Sequence, residues 1–339
     1  MKHILARAVM VLVAATTLAA CGDDEPPATV SGPMAELYQQ ARNEPPLTWY
    51  SSQDPALNEA LVTAFGKAFP GLQVQQLRLA SGALATRYAQ EHNAGAKTAD
   101  VLTASAQAFL KDGFTKGWFE QIDKTSLPAV AKLDDKWFIN GGEATAAISL
   151  FGICYNTNLV KNPPKDWTDA LDPQYKGKIA FADFRNAPLY LDQGALWIDN
   201  YGEQYLRDLK AQSLKVVDSM VPGVQQLAAG QLSLAVPCPP TIIESLKNDG
   251  APIAVTFPPK VVGAEFDSVI TKGTRSPSFA KLFYDFMFTP EGQAAINGKT
   301  GASALGAPGT TPLPAGYTRP IVDKQPATLK TMQDIFQLA

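Results

Sequence analysis

Three short polar clusters, two histidines and three cysteines carry most of the chemistry this chain can offer. The clusters are Ser51 to Asp54, Ser81-Gly82 and Thr103 to Ser105. Each follows a short apolar run, where a strand ends and a helix can begin. Ligands of open α/β sheets gather beyond the carboxyl ends of strands, and helix N-termini attract anions. Taken singly, Ser, Asp and Gly at such places serve as helix caps and turn residues. Three clusters at equivalent places favour a binding edge, with Ser52, Asp54, Ser81, Gly82 and Ser105 as its candidates. Asp54 precedes Pro55, the pattern of a capped helix start; its carboxylate would also suit an amine.

Catalysis finds little support. A serine hydrolase needs a base, and His92 sits in Glu91-His92-Asn93-Ala94-Gly95, a polar helix end that favours an imidazolium without any catalytic role. No GxSxG, HExxH, GxGxxG or P-loop pattern occurs, so no enzyme, cofactor or metal centre is expected. Cys154 and Cys238 lie near the ends of apolar runs. They form a disulfide in an oxidising compartment or remain two buried thiols, because sequence gives no Cα separation.

The elements that must position these groups alternate. Leu47–Tyr50 reads as a strand, and Leu57, Leu61, Ala64, Phe65 and Ala68 as one helical stripe. Leu72 to Leu79 reads as a second strand, Ser81 opens a helix, and Ala99–Thr103 is a third strand. The long apolar run Ala146–Tyr155 either crosses between two lobes or is one buried strand. A second set follows, with strands at 178–182, 232–236 and 253–257, helices at 189–205 and 241–246, and a return strand at 264–271. Phe279, Leu282, Phe283 and Phe286 share a helix face, Glu291 begins another helix, and Leu329 to Phe336 suggests a last one. This order predicts α/β architecture with mostly parallel sheets.

The chain has 339 residues, 46% of them hydrophobic, enough for two domains with real cores. Its formal net charge of −3 offers no basic excess for nucleic acid. Residues 1–20 carry Lys2 and Arg7, then an uncharged apolar stretch from Ala8 to Ala20. That pattern reads as a secretory signal too short to span a bilayer. Leu18-Ala19-Ala20-Cys21 resembles the bacterial lipoprotein box, which implies cleavage before Cys21 and its diacylation, including palmitate-type chains. Residues 21–45, acidic and Pro-bearing at both ends, read as a lipid anchor and tether, with room for a helical turn or two at Ala35–Arg42.

Several stretches resemble the extracytoplasmic solute-binding proteins of ABC transporters, in the group that includes ferric-iron, thiamine, phosphonate and polyamine binders. They are Leu47–Asp54 (LTWYSSQD), Ala99–Val101, Trp167–Ile179 (WTDALDPQYKGKI), Ala228-Ala229-Gly230, Ala280–Phe286 (AKLFYDF) and Thr289–Gln293 (TPEGQ). The resemblance implies a two-lobed periplasmic-binding-protein fold of type II. Lobe 1 would be 46–147 plus 262–299, and lobe 2 would be 148–261 plus 300–339, joined by crossing strands.

The resemblance also implies that the tip Asp183-Phe184-Arg185-Asn186 faces the cleft. Arg185 would fork onto a carboxylate, phosphonate or phosphate beside Phe184 and Asn186, or pair with Asp183. Met220 and Cys238 would line the other rim. The family's ferric ligands do not carry over. Pro239-Pro240-Thr241 stands where iron binders have adjacent tyrosines, Ser105 where they have an acid, and Asp54 where they have a histidine. A hard cation needs such oxygen ligands, so a small organic solute, anionic or zwitterionic, is expected instead. The implied partners are that solute, a permease and an ATPase subunit, and the membrane through Cys21; the chain would act as a monomer on the outer side of the cell membrane. The alternatives are a ligand-presenting protein for a sensor and a ferric-ion binder.

Overall fold

The computed structural model describes residues 32–185 and 189–338. The signal at 1–20, the lipidation site Cys21 and the candidate Asn186 lie outside the described residues.

Two mixed sheets form, each flanked by helices. The first lobe begins with α1 (Pro33–Ala41), β1 (Leu47–Ser51), α2 (Pro55–Ala68), β2 (Val74–Arg78), α3 (Ser81–Asn93), β3 (Val101–Ala104) and α4 (Gln107–Thr115). It continues through β4 (Phe138–Ile139) and β5 (Glu143–Leu150). The second lobe holds β6 (Gly152–Asn156), β7 (Ile179–Ala182), α5 (Leu189–Ala211), β8 (Lys215–Val217), α6 (Met220–Ala228), β9 (Leu234–Cys238), α7 (Thr241–Asn248) and β10 (Ile253–Thr256). The chain then returns to the first lobe with β11 (Gly263–Ile270), α8 (Pro277–Phe286) and α9 (Pro290–Asn297), and ends with α10 (Gln325–Phe336).

The first sheet has the order β2-β1-β3-β11-β5-β4 and the second β10-β6-β9-β7-β8. Strands β1, β2 and β3 are parallel, as are β7, β8 and β9. β3, β5, β7 and β9 are buried at every position, as strands covered on both faces must be. This is why they read as apolar runs without alternation.

The run Ala146–Tyr155 is a crossing segment. β5 ends at Leu150 in one sheet and β6 begins at Gly152 in the other. The return passage, from β10 to β11, lies beside it. A Cβ on Gly152 would meet the Thr256 carbonyl at 2.3 Å, and one on Gly263 would meet the Ser149 carbonyl at 2.5 Å. Glycine at both places lets the two connecting backbones touch.

Each lobe has its own core. In the first, Phe65 meets Phe279, Phe283 and Phe286 with ring centroids 5.7, 5.1 and 5.4 Å apart. These rings join α2 to the α8 face expected from their spacing. In the second, Met332, Ile335 and Phe336 of α10 pack into the core around β7 and β9. Cys154 and Cys238 form a disulfide between β6 and β9, with Cα atoms 5.7 Å apart, which resolves the open choice between a bridge and two thiols.

Two boundaries differ from expectation. The expected tether is folded from Pro33 onward. Tyr38 and Ala41 are buried in the first core, and the Tyr38 hydroxyl donates to the Pro70 carbonyl at 2.7 Å. Glu44 accepts from the Ser278 and Phe279 amides at 3.1 and 2.9 Å, capping α8 where a carboxylate meets the positive helix end. Met34, Leu37, Tyr38 and Ala41 make an apolar helical stripe that the flanking prolines disguised. Residues 300–339 also do not belong to one lobe. Ala302 bridges Ile148 and sits in the first core, while α10 packs on α5 in the second lobe.

Candidate functional site

A cleft of about 690 Å³ lies between the lobes. Its first wall comes from strand ends and helix starts: Ser52 after β1, Arg78 ending β2, Ser81 and Gly82 opening α3, and Ser105 after β3. The parallel order of β2, β1 and β3 brings their carboxyl ends to one edge, so three loops far apart in sequence meet. The Ser52 amide donates to the Thr103 carbonyl at 2.9 Å, and the Ser52 hydroxyl accepts from the Ser105 amide at 3.2 Å. That pair ties two of the loops together.

Helices α3 and α4 begin at this wall with no side-chain cap. Their first amides therefore lack intrahelical partners and suit an anion. Arg78 is exposed to the cleft, where its Nε donates to the Gln53 carbonyl at 3.3 Å. No carboxylate pairs with it among the described residues. Gly82 has nothing within 4 Å of where a Cβ would stand, so the space beside it is open cleft.

Phe109 and Phe266 supply aromatic surface. The opposite wall consists of Leu189 and Asp192 on α5 with Pro320, Val322 and Gln325 from the segment leading into α10. Asp192 is buried. Its Oδ1 accepts from the Ile321 amide at 2.9 Å, and Gln325 Nε2 donates to both carboxylate oxygens at 3.1 Å. Burial raises its pKa, and the bonds from Gln325 and Ile321 oppose that rise.

A buried ionic cluster lies beneath. Ala264 and Phe266 of β11 line the cleft, and the alternate residues Glu265 and Asp267 are fully buried. Arg319 binds Glu265 through Nη2 at 2.5 Å and Nε at 2.8 Å, and it also donates to the Lys136 carbonyl. Tyr317 donates its hydroxyl to Glu265 at 2.7 Å. Gln107, at the start of α4 and in the cleft, donates to the Glu265 carbonyl at 2.8 Å and to Asp267 at 3.1 Å. Desolvation pushes Glu265 up to about 7, with Asp267 adding repulsion. Burial likewise raises Glu143 and Asp267, and at Glu143 repulsion from Asp267 adds to it.

Of the residues singled out from sequence, Ser52, Ser81, Gly82 and Ser105 line the cleft. Asp54 does not. Its Oδ1 accepts from the Ala56 amide at 2.9 Å as the cap of α2. The four second-lobe candidates within the described residues stay outside as well. Phe184 is buried in the lobe core, 5.8 Å from the Phe336 ring. Met220 is buried against Gly223, and Cys238 is held in the disulfide. Arg185 pairs with Asp183 at 2.7 Å and donates to the Leu338 carbonyl at 3.2 Å. This pairing holds Asp183 below the usual carboxylate range. The described tip residues Phe184 and Arg185 are engaged by Phe336 and the Leu338 carbonyl, and neither lines this cleft.

Sequence reasoning missed Arg78, Gln107, Asp192 and Gln325. Arg78 was within reach, since it ends β2 just before a cluster already noted. Asp192 and Gln325 were not, because 133 residues separate the two partners of their bond.

Two α/β lobes are joined by crossing strands, with a mostly apolar cleft between them that carries a few polar groups. The chain belongs to the bacterial extracellular solute-binding protein family, whose profile matches residues 96–328. An uncharacterised protein of Haemophilus influenzae is 30% identical over 139 residues, 40% of each chain, so the match spans well under half of that relative. Among solved structures, iron-bound HitA from Pseudomonas aeruginosa is 21% identical and covers 86% of this chain and 99% of its own, with a TM-score of 0.64. The periplasmic binding protein AfuA from Actinobacillus pleuropneumoniae, with fructose-6-phosphate bound, is 20% identical and covers 87% and 99%, with a TM-score of 0.63. An ABC-transporter substrate-binding protein from Agrobacterium tumefaciens covers 87% and 95% at 15% identity, with a TM-score of 0.68. At these identities the likeness is one of fold.

Proposed function

We propose that this chain is the extracytoplasmic receptor of an ABC importer, and that it captures a small organic anion against the first wall of the cleft. The observation that carries the reading is Arg78. It is a cleft-facing guanidinium with no carboxylate partner among the described residues, next to the uncapped start of α3. A planar fork of this kind suits a carboxylate, phosphonate or phosphate. Ser105 and Gly82 complete the cradle, and Phe109 and Phe266 cover the organic part of the solute. The two lobes grip the solute together only in a closed form, so its differential affinity shifts the population toward closure. A separate permease reads that form, and a separate ATPase subunit supplies the energy. The receptor itself performs no enzymatic step and works as a monomer. Relatives of this fold whose names state iron and a sugar phosphate make both worth including in a ligand panel.

The Leu18-Ala19-Ala20-Cys21 tetrad supports a lipid anchor on Cys21 at the outer side of the cell membrane. Metabolic labelling with radioactive palmitate should mark the wild type and spare Cys21→Ser; equal labelling would exclude that anchor.

Thermal shift of the purified protein against carboxylates, phosphonates, sugar phosphates and ferric citrate tests the receptor reading. A ligand at 100-fold above its dissociation constant adds ~2.7 kcal/mol and raises the Tm by several degrees. Arg78→Ala should weaken an anionic hit tenfold or more. Undiminished affinity would remove Arg78 from the site, and a ferric hit would replace the organic anion.

A further inference from the structure

We infer that the second wall of the cleft is a cation site centred on Asp192, so that the solute carries an ammonium group at the end opposite its anion. The inference rests on the anion reading of the first wall and names the substrate class more narrowly.

Asp192 lies on α5, lines the cleft and is only 4% exposed. A carboxylate has about four acceptor positions. Three contacts reach this one, from the Ile321 amide and twice from Gln325 Nε2, and all three donors are neutral. Oδ2 receives one of them, so it has acceptor capacity left. A positive charge at the remaining acceptor position would offset the desolvation of a buried carboxylate whose donors are all neutral.

The protein supplies no such charge among the described residues. Lys324, next to Gln325, is paired with Asp199 at 2.6 Å. Arg319, just before Pro320, is bound to Glu265. Both nearby cations are therefore committed elsewhere. The apolar neighbours Leu189 and Val322 suit the methylenes leading to an ammonium.

The two walls are thus complementary to one kind of molecule. Arg78 and the helix starts offer positive potential on one side, and Asp192 offers an acceptor on the other. An inorganic anion or a simple fatty acid would satisfy only the first.

A second account of Asp192 exists, since it occupies the first turn of α5 and ties down the segment before α10. Asp192→Asn separates the two roles. The asparagine oxygen still accepts from Ile321 and Gln325, while the charge is removed. The probes are β-alanine, γ-aminobutyrate, δ-aminovalerate, ε-aminocaproate and aminoethylphosphonate, each paired with the same acid lacking nitrogen. Calorimetry on the purified wild type should show at least one aminated probe binding tenfold or more tighter than its nitrogen-free partner. Asp192→Asn should erase that advantage while binding the nitrogen-free partner like the wild type. Because the advantage is first read in the wild type, poor folding of the variant would not protect the inference.

Equal or weaker binding of every aminated probe overturns it. If the nitrogen-free acids nevertheless bind and depend on Arg78, the anion reading stands alone. If sugar phosphates bind and no amino acid does, the ammonium site is refuted. If neither series nor the sugar phosphates bind at millimolar concentration, both readings fall.

Discussion

The two walls of the cleft are built by different rules. The first is made where the parallel strands β1, β2 and β3 release their chains into helices, so short loops far apart in sequence converge on one edge. The equivalent tip of the second lobe is plugged. Phe184 packs on Phe336, and Arg185 holds the Leu338 carbonyl, which hands the wall to α5 and to the segment before α10. A strand end is therefore a binding edge only where no later element covers it.

The lobes also differ in how they are held together, and this permits the largest test. The second sheet carries the Cys154–Cys238 bridge, separated by 84 residues. Cys154→Ala with Cys238→Ala should cost about 2–4 kcal/mol of stability, read as a lower midpoint in urea. Anionic-solute affinity at the first wall should persist below that midpoint. An unchanged midpoint would show that the bridge contributes nothing to this lobe.

Next, Gly82→Leu would crowd the first wall, since a Cβ at that position meets nothing within 4 Å and the side chain would extend into the cleft. Solute affinity should fall about a hundredfold, near 2.7 kcal/mol, with thermal stability retained. Retained affinity would move the solute away from α3.

The sharpest form of the comparison sets Arg185 against Arg78. Arg185→Ala leaves Asp183 nearly buried without its partner and loosens the chain end. It should cost about 1–2 kcal/mol of stability and change solute affinity less than about twofold. A tenfold loss of affinity would restore the rim expected from sequence.

The last test concerns pH. In the folded chain the Glu265 carboxyl is pushed up to about 7, and it returns to the ordinary carboxylate range on unfolding. Between those values the native state binds more protons than the unfolded state, so stability falls as pH rises. The fall should be on the order of 1–3 kcal/mol between about pH 5 and pH 7.5, and Glu265→Gln should reduce it, leaving the part carried by Glu143 and Asp267. A rise over that interval would show that Arg319 dominates over burial.

Much of this was legible in the chain itself. Local apolar patterning marked β1, β3, the crossing run and the aromatic face of α8, because burial on one or both sides dictates residue type directly. The order of elements with the LTWYSSQD and YKGKI stretches pointed to two lobes, and strand-end polarity located Ser52, Ser81, Gly82 and Ser105. For α1 the patterning reached only a helical turn or two within the tether, whereas the stripe of Met34, Leu37, Tyr38 and Ala41 builds a full helix packed on the first core.

The choice among chemically equal residues came from the tertiary structure alone. Arg78 ends β2, Arg185 follows the end of β7 by three residues, and both precede a helix, so residue type and neighbourhood in the chain do not rank them. One is left without a carboxylate in the cleft, while the other meets Asp183 and the chain end brought back by α10. Asp54 and Asp192 differ in the same way, one spent on a neighbouring amide and the other placed in the cleft by Gln325 and Ile321. Local pattern determines which elements form, because burial acts residue by residue. Which polar groups remain available depends on partners more than a hundred residues away, and only the packed fold decides those.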